Sequence, residues 1–268
     1  MNRKINAFLA VMLLGIAAVA SAQTADASAS AEAIVDKSRN RISADTILTR
    51  SRMSVAAKNG SVSNRVIDQY SKDGPKGENR VVVEFKHSSN PANIINTRFL
   101  TIENQGGKDE QWIFLPSLKT VRRIAASEGS GSFVGTDLSY SDISSATRSP
   151  GLDTHRILRE EEYRGNPCYV IESTPRDRSY QYSKMIQWID KDNSVNYKIE
   201  LYDNRGTHVK TLEILELKDV QGRLSPMVTK MSTLIDGTFT TINVDRLEYN
   251  SVIPESVFTP RYLETGRP

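Results

Sequence analysis

Cysteine and histidine are scarce in this chain of 268 residues, and their scarcity narrows its possible chemistry. The single Cys168 excludes an intramolecular disulfide, and its place after Pro167 in an apolar stretch is typical of a small buried hydrophobe rather than a nucleophile. The three histidines (His87, His155 and His208) lack the spacing of a zinc site. No G-x-S-x-G elbow surrounds any serine. We therefore predict no catalytic residue, no metal and no cofactor, and a chain that is not an enzyme.

The chain also lacks a large excess of charge of either sign. Its 35 Lys and Arg against 32 Asp and Glu give a formal net charge of +3. Two of the basic residues, Arg3 and Lys4, lie in the first 22 positions, so the remainder has 33 − 32, or +1. Near-neutral charge disfavours nucleic-acid binding. With 38% hydrophobic residues, the remaining 268 − 22 = 246 residues can bury one sizeable core without disulfides.

A long hydrophobic run is present only near the N-terminus. Arg3 and Lys4 precede the apolar run 7–20, and Ala20-Ser21-Ala22 forms an A-x-A cleavage site before Gln23. The run is short for a membrane span, although a retained anchor is the alternative. No cysteine stands at the cleavage point to carry a lipid anchor. We predict a signal peptide over 1–22, a disordered leader over 23–30 and a soluble periplasmic protein with a single domain over 31–268.

Strands dominate the remainder of the sequence. A short helix is predicted from Ser30 to about Asn40, and weaker helices near 139–146 and 254–258. Period-two patterns and turn pairs such as Gln221-Gly222 predict the strands. The predicted strands are 46–57, 62–71, 79–87, 97–103, 110–115, 119–124, 154–163, 167–174, 184–190, 195–202, 207–218, 226–236 and 238–249. So many sequential hairpins must curl, because a large flat sheet leaves edges and apolar surface exposed. The strand count alone also allows a sandwich.

One stretch, Gln111 to Tyr140 (QWIFLPSLKTVRRIAASEGSGSFVGTDLSY), carries the densest pattern in the chain. Its first half reads W-I-x-x-P-x-L-K-x-V-R-R-I, and its second half contains G-S-F-x-G-T-D-L-S-Y. This pattern resembles the bacterial outer-membrane lipoprotein-sorting family, a LolA-like branch of the LolA/LolB superfamily of periplasmic lipid and lipoprotein carriers. The resemblance is dense over these residues and looser elsewhere.

The resemblance implies a mainly β fold, in which a strongly curved antiparallel sheet forms an unclosed barrel with short helices as a plug or lid. It implies a carrier that shields the acyl chains of a lipid or lipoprotein on the way toward the outer membrane, with transient membrane contact. It also implies an inner-membrane partner, an RND-type or ABC-type transporter. The alternative is an envelope binding or scaffold module whose barrel is packed shut, such as an accessory to an RND-type exporter.

Large apolar side chains are the candidate lining of such a cavity, although ordinary core packing is the commoner role of any one such residue. The candidates are Phe99, Trp112, Phe114, Leu115, Phe133, Tyr140, Met185, Trp188 and Phe239.

A basic cluster follows the apolar stretch and could contact a lipid head group or a partner. It comprises Lys119, Arg122 and Arg123, of which the last two point to opposite faces of a strand. A solvated, charge-blunted strand edge is the alternative, and Asp137 could pair with either arginine. The glycine-rich loop 129–135 lacks the GK[ST] ending of a phosphate loop, so we predict a mobile hinge or lid there.

Overall fold

The computed structural model describes residues 31–75, 78–104, 109–144 and 150–268, so the predicted signal peptide and leader lie outside the described residues. The strands are β1 Thr46–Ala56, β2 Val62–Asp73, β3 Asn79–Ser88, β4 Arg98–Ile102, β5 Glu110–Leu115, β6 Thr120–Arg123, β7 Asp153–Tyr163, β8 Asn166–Pro175, β9 Lys184–Asp190, β10 Asn196–Tyr202, β11 His208–Val220, β12 Arg223–Thr233 and β13 Thr238–Tyr249. All thirteen predicted strands are found, with bounds within three residues.

The helices are few and short. The described part of α1 covers residues 31–39, α2 is Tyr140–Ser144 and α3 is Pro260–Thr265. Single 3-10 turns occupy Ala92–Ile94, Ala126–Glu128 and Glu255–Phe258.

The thirteen strands form one antiparallel sheet in the order β6-β5-β4-β3-β2-β1-β13-β12-β11-β10-β9-β8-β7. Two meanders, β1–β6 and β7–β13, are joined where β1 pairs with β13. The edge strands β6 and β7 do not pair, so the sheet is not closed into a barrel. The predicted mainly β fold with an unclosed antiparallel sheet is confirmed.

Local turn chemistry explains why the hairpins form where the sequence predicts them. Between β11 and β12, Gln221 and Gly222 have φ values of 53° and 75°. Two successive positive φ values define the two-residue turn whose twist matches antiparallel strands, and glycine adopts this conformation without a steric penalty.

The sheet is curled around helix α2. Gln111 on β5 donates from Nε2 to the carbonyl of Tyr140 at 3.1 Å, and Lys210 on β11 donates from Nζ to Asp142 at 2.9 Å. Strands β5 and β11 are seven steps apart in the sheet, which is about 34 Å if the sheet were flat. Residues of one short helix reach both strands, so the sheet must be concave on the side that faces α2.

Alternation along the strands therefore gives the sheet an inner face toward α2 and an outer face. Phe99 and Ile113, opposite each other on β4 and β5, belong to the inner core. Their neighbours Leu100 and Trp112 belong to a separate outer cluster. On the β8–β9 side, α1 packs Ala31 and Val35 against Ile171 and Ile189, next to the inner core. The inner core of buried residues comprises Met53, Val55, Ile67, Val83, Phe85, Phe99, Ile113, Ile124, Phe133, Leu138, Tyr182, Met185, Leu201 and Met231.

The last residues of the chain, 250–268, cover the outer face of the first meander. We call them the C-terminal segment. Ile253, Val257, Phe258, Tyr262 and Leu263 are buried there against strands β1 to β6.

A buried ion pair fixes the C-terminal segment in place. Arg98 donates from Nε to Glu84 at 3.0 Å and from Nη1 to the carbonyl of Leu263 at 3.0 Å. Helix α3 ends at Gly266, whose φ is 63°, and a Cβ there would lie 2.3 Å from the Arg98 guanidinium. Both the backbone conformation and the close approach of Arg98 therefore require glycine.

Candidate functional site

Residues 124–144, which follow β6, pack on the inner face and are called the plug segment here. Phe133 is wholly buried. Its ring centroid lies 5.8 Å from Phe85, 5.1 Å from Phe99 and 5.6 Å from Tyr140. Tilted and edge-on aromatic contacts at these distances are favourable beyond the apolar area that they bury. The inner face of the first meander is therefore filled by side chains of the plug segment.

A buried carboxylate ties the plug segment to the second meander. Asp142 has a side chain that is only 5% exposed and ion-paired with Lys210. One carboxylate oxygen, Oδ1, accepts from Gln181 Nε2 at 3.0 Å and from the Tyr182 hydroxyl at 2.9 Å. The other oxygen, Oδ2, accepts from Lys210 Nζ and from the amide of Ser139 at 2.8 Å. Burial, and after it Asp142, raises the pKa of Tyr182, so its hydroxyl stays protonated and able to donate.

A second buried carboxylate ties the plug segment to β13. Asp137 accepts from the hydroxyls of Thr238 and Thr240, and its own amide donates to Thr240 Oγ1 at 3.0 Å. From β2, Arg65 donates from Nη1 to the carbonyl of Val134 at 2.7 Å. Polar contacts therefore hold the plug segment along its length to strands of both meanders.

The inner face of the second meander carries an apolar strip that is only half covered. Ile199, Leu212 and Met231 stand opposite one another across β10, β11 and β12. Ile242 on β13 continues the strip and faces Met53 on β1. Met231 is buried, whereas Ile199, Leu212 and Ile242 are half-buried at the border of the inner core. The strip (Ile199, Leu212, Met231 and Ile242) is apolar surface on the concave side that the protein itself leaves partly uncovered.

The nine side chains predicted to line a cavity are divided between the two faces. Phe99, Leu115, Phe133, Tyr140 and Met185 lie in or against the inner core. Side chains of an extended strand alternate between faces, so only some members of each predicted apolar strand reach the inner face.

The other four predicted lining residues lie on the outer face. Trp112 and Phe114 pack under the C-terminal segment, and Trp188 packs in an outer cluster with Val170. Phe239 alternates with the inward Thr240. It is 37% exposed, and Lys230 Nζ lies 4.4 Å from its ring centroid.

The basic residues form ion pairs at the sheet edge. Arg122 pairs with Glu128 at 2.9 Å, and Arg123 pairs with Glu110 at 2.9 Å. Arg122 stands opposite the inward Ile113, whereas Arg123 stands opposite the outward Trp112, so they point to opposite faces as predicted. A backbone amide and then Arg122 lower the pKa of the Glu128 carboxyl.

The remaining members of the predicted basic and lid regions lie in turns. Lys119 lies in the turn between β5 and β6 with a φ of 50°. Asp137 pairs with threonines and, among the described residues, with neither arginine. The predicted lid loop 129–135 contains Phe133, which is wholly buried.

Sequence reasoning missed three groups that define this site: the apolar strip, Asp142 and Arg65. Period two was a usable signal for the strip, since Ile199 shares a face with Leu201. Asp142 and Arg65 contact residues 68 and 69 positions away in sequence, for which no local pattern exists.

Two further properties concern the described residues. Within them, no three His, Cys, Asp or Glu side chains are placed so that they could hold a metal ion. No helix in the described ranges has the length and apolar character needed to cross a membrane.

Comparison with known proteins identifies a matching family model and solved structures with a similar fold. The family model that matches residues 77–265 is described as an uncharacterized protein. A structure from Vibrio parahaemolyticus, named as an outer membrane lipoprotein-sorting protein domain, is similar with a TM-score of 0.82 and 24% identity over 88% of this chain and 99% of that one. A DUF1329 family protein from Desulfovibrio piger gives the same values.

A LolA superfamily protein from Nitrosomonas europaea has a TM-score of 0.68 at 22% identity, over 87% of this chain and 98% of that one. These similarities show the fold, and with it the predicted resemblance is confirmed. No curated protein matches the chain.

Proposed function

We propose that this chain is a periplasmic carrier of acyl chains. It belongs to the family of uncharacterized proteins matched over residues 77–265, and it has the fold of the LolA superfamily. The cargo is a lipid or a lipoprotein, which the carrier moves toward the outer membrane. The observation that supports this most is the half-covered apolar strip on the concave face. Concave, mostly apolar surfaces are the usual binding sites for hydrophobic ligands.

Transfer energies support exchange rather than tight capture. Each CH2 removed from water contributes about 0.8 kcal/mol, so a long acyl chain gains about 10 kcal/mol on leaving water. A bilayer offers nearly the same gain, so movement between membrane and protein is close to neutral in free energy. Loading and release therefore need a bias from a partner, for which an RND-type or ABC-type transporter is the proposed candidate.

The plug segment supplies the moving part in this proposal. It fills the inner face of the first meander with Phe133 and borders the strip through Asp142. An acyl chain on the strip would extend the inner core across the second meander. Movement of the plug segment would enlarge the apolar surface available to a cargo with several chains.

Native mass spectrometry of the purified protein tests the proposal directly, because a carrier should co-purify with lipid. Leu212→Ser should weaken binding of a fluorescent fatty-acyl probe by roughly tenfold, since a leucine contact is worth about 1.5 kcal/mol. Leu158→Ser is the matched control, since Leu158 is 37% exposed on edge strand β7. Absence of lipid from the native protein, together with equal probe binding by both variants, would favour the alternative of a scaffold module with a filled barrel.

A further inference from the structure

Three arginines are buried among the described residues, and one of them lacks a carboxylate. Arg80 pairs with Glu255 at 2.8 Å, and Arg98 pairs with Glu84 at 3.0 Å. Arg65 is just as buried, at 4% exposure, yet it forms no ion pair with any described residue. Removing a guanidinium from water is costly unless an anion or several acceptors compensate it.

The acceptors around Arg65 satisfy only part of its hydrogen-bonding capacity. Nη1 donates to the carbonyl of Val134 at 2.7 Å, and Nε makes a long contact of 3.4 Å to Ser63 Oγ. Nη2 has no hydrogen-bond acceptor in the described part of the chain. Its neighbour is Gly135, where a Cβ would lie 3.8 Å away. A planar guanidinium has five N–H donors, so donors remain for an anionic oxygen.

Arg65 also has no carboxylate near it among the described residues. Burial lowers the pKa of the Arg65 guanidinium, with no carboxylate opposing that effect. Asp137, on the same face, is occupied by two threonine hydroxyls. The ring of Phe85, 5.9 Å from the guanidinium, offers Arg65 partial compensation.

The position of Arg65 relates it to the apolar strip. On the inner face, Arg65 stands opposite Met53 on β1, and Met53 stands opposite Ile242 on β13. Arg65 is therefore two strand steps, about 10 Å, from the nearest member of the strip. A cation and an apolar surface at this separation match a molecule with an anionic head and an acyl tail.

We propose that Arg65 binds the anionic head group, a phosphate or carboxylate, of a lipid whose acyl chain lies along the strip. This rests on the proposed carrier function and adds the class of cargo. The oxygens of the head group would accept from Nη2, while Nη1 keeps the carbonyl of Val134. Charge-assisted hydrogen bonds of this kind are about twice as strong as neutral ones.

Displacement of a fluorescent fatty-acyl probe by dodecyl phosphate and by dodecanol tests this head-group site. The two competitors share a chain and differ in charge. Wild-type protein should prefer dodecyl phosphate by roughly tenfold, the value of one hydrogen bond to a charged group. Arg65→Gln should lose that preference while still binding dodecanol, and Arg65→Lys should retain part of it. Arg52→Gln is the matched control, because Arg52 is exposed on the outer face of the neighbouring strand.

The outcomes separate the head-group site from the carrier function. Equal binding of both competitors by the wild type, or a preference that survives in Arg65→Gln, overturns the head-group site and leaves the carrier standing. Failure of both competitors and of the probe to bind overturns the carrier. Inorganic phosphate that competes as well as dodecyl phosphate would show a free-anion site and overturn the lipid assignment. If Arg65→Gln does not fold, the preference for dodecyl phosphate over dodecanol in the wild type and in Arg65→Lys decides whether Arg65 binds the head group.

Discussion

The plug segment and the C-terminal segment cover opposite faces of the same meander in different ways. The C-terminal segment contributes five buried apolar side chains and contacts strands of the first meander. Its polar anchor, the Arg98–Glu84 pair, lies within that meander as well. The plug segment buries Ile124, Phe133 and Leu138 but depends on polar contacts to both meanders, through Gln111, Lys210 and Thr240.

The C-terminal segment is therefore a cover that is part of the core, whereas the plug segment is a cover that can be released. Losing the C-terminal segment would expose Val82 and Leu100, which are wholly buried, with no ligand to replace the lost contacts. Releasing the plug segment exposes inner-face apolar surface that an acyl chain could cover again. Polar contacts between two halves of a curled sheet can be exchanged for water at modest cost, because water satisfies the same donors and acceptors.

Shortening a buried side chain of the C-terminal segment should have the largest effect on stability. Leu263 is wholly buried in α3, so Leu263→Ala should lower the free energy of unfolding by about 2–5 kcal/mol, through lost burial and a residual cavity. Urea unfolding measures this value. Val252→Ala is the control, since Val252 is 97% exposed, and it should change little. A Leu263→Ala protein of unchanged stability would show that the C-terminal segment is not part of the core.

Release of the plug segment should cost less and remain local. Asp142→Asn removes the negative charge that pairs with Lys210. It also replaces one of the two carboxylate oxygens, which together accept from four donors, by an amide nitrogen. We expect a loss of about 1–3 kcal/mol, the cost of leaving buried polar groups unsatisfied. Hydrogen exchange should rise in residues 133–143 while the C-terminal segment stays protected. Equal acceleration in both segments would mean that they unfold as one unit, and the comparison between them would fail.

The hairpins and the short helices of the two covers were predictable, but the contacts that hold the covers in place were not, for a physical reason. Turns such as Gln221-Gly222 are decided by residues next to each other, so the sequence alone indicates the hairpins. The division of Trp112 and Leu115 between faces follows from strand alternation and was within reach of the sequence. Helix α2 contacts both β5 and β11, seven steps apart in the sheet, only because the sheet curls. Curl is a property of the whole sheet, so no local pattern could indicate Asp142 or Arg65.

The contact between α1 and the sheet should respond to pH, unlike either cover. His155 on β7 is buried beside α1, with Nδ1 2.7 Å from Ser173 Oγ and Nε2 3.6 Å from Glu32. Burial lowers the pKa of His155, and this outweighs the opposing effects of Glu32, Asp153 and Asp36, while Arg39 adds to the lowering. The folded protein therefore favours the neutral imidazole.

The direction of the pH effect follows from linkage. An unfolded histidine titrates near pH 6.5. Stability contributed by His155 is therefore complete above that pH and is lost as the pH falls toward the lower folded value. Urea unfolding at pH 7.5 and 5.5 should show this loss, and His155→Gln should reduce the difference between the two values. An unchanged pH dependence in the variant would exclude His155 as its source.

The smallest effect on stability is expected from substituting the two arginines of edge strand β6, which point to opposite faces of the sheet. Arg122 points toward the plug segment and is 41% exposed, and Arg123 points toward the side of the C-terminal segment and is 61% exposed. Exposed ion pairs contribute little, so Arg122→Ala and Arg123→Ala should both leave the melting temperature almost unchanged.

Transfer of a fluorescent anionic lipid should distinguish the two arginines, although melting cannot. If the basic cluster contacts cargo on the inner face, Arg122→Ala should slow transfer and Arg123→Ala should not, because only Arg122 shares a face with the plug segment. Slower transfer in both variants would instead indicate a contact with a membrane or partner at the sheet edge. A large loss of melting temperature in Arg122→Ala with unchanged transfer would show that its pair with Glu128 holds the start of the plug segment in place, and the cargo role of this residue would have to be abandoned.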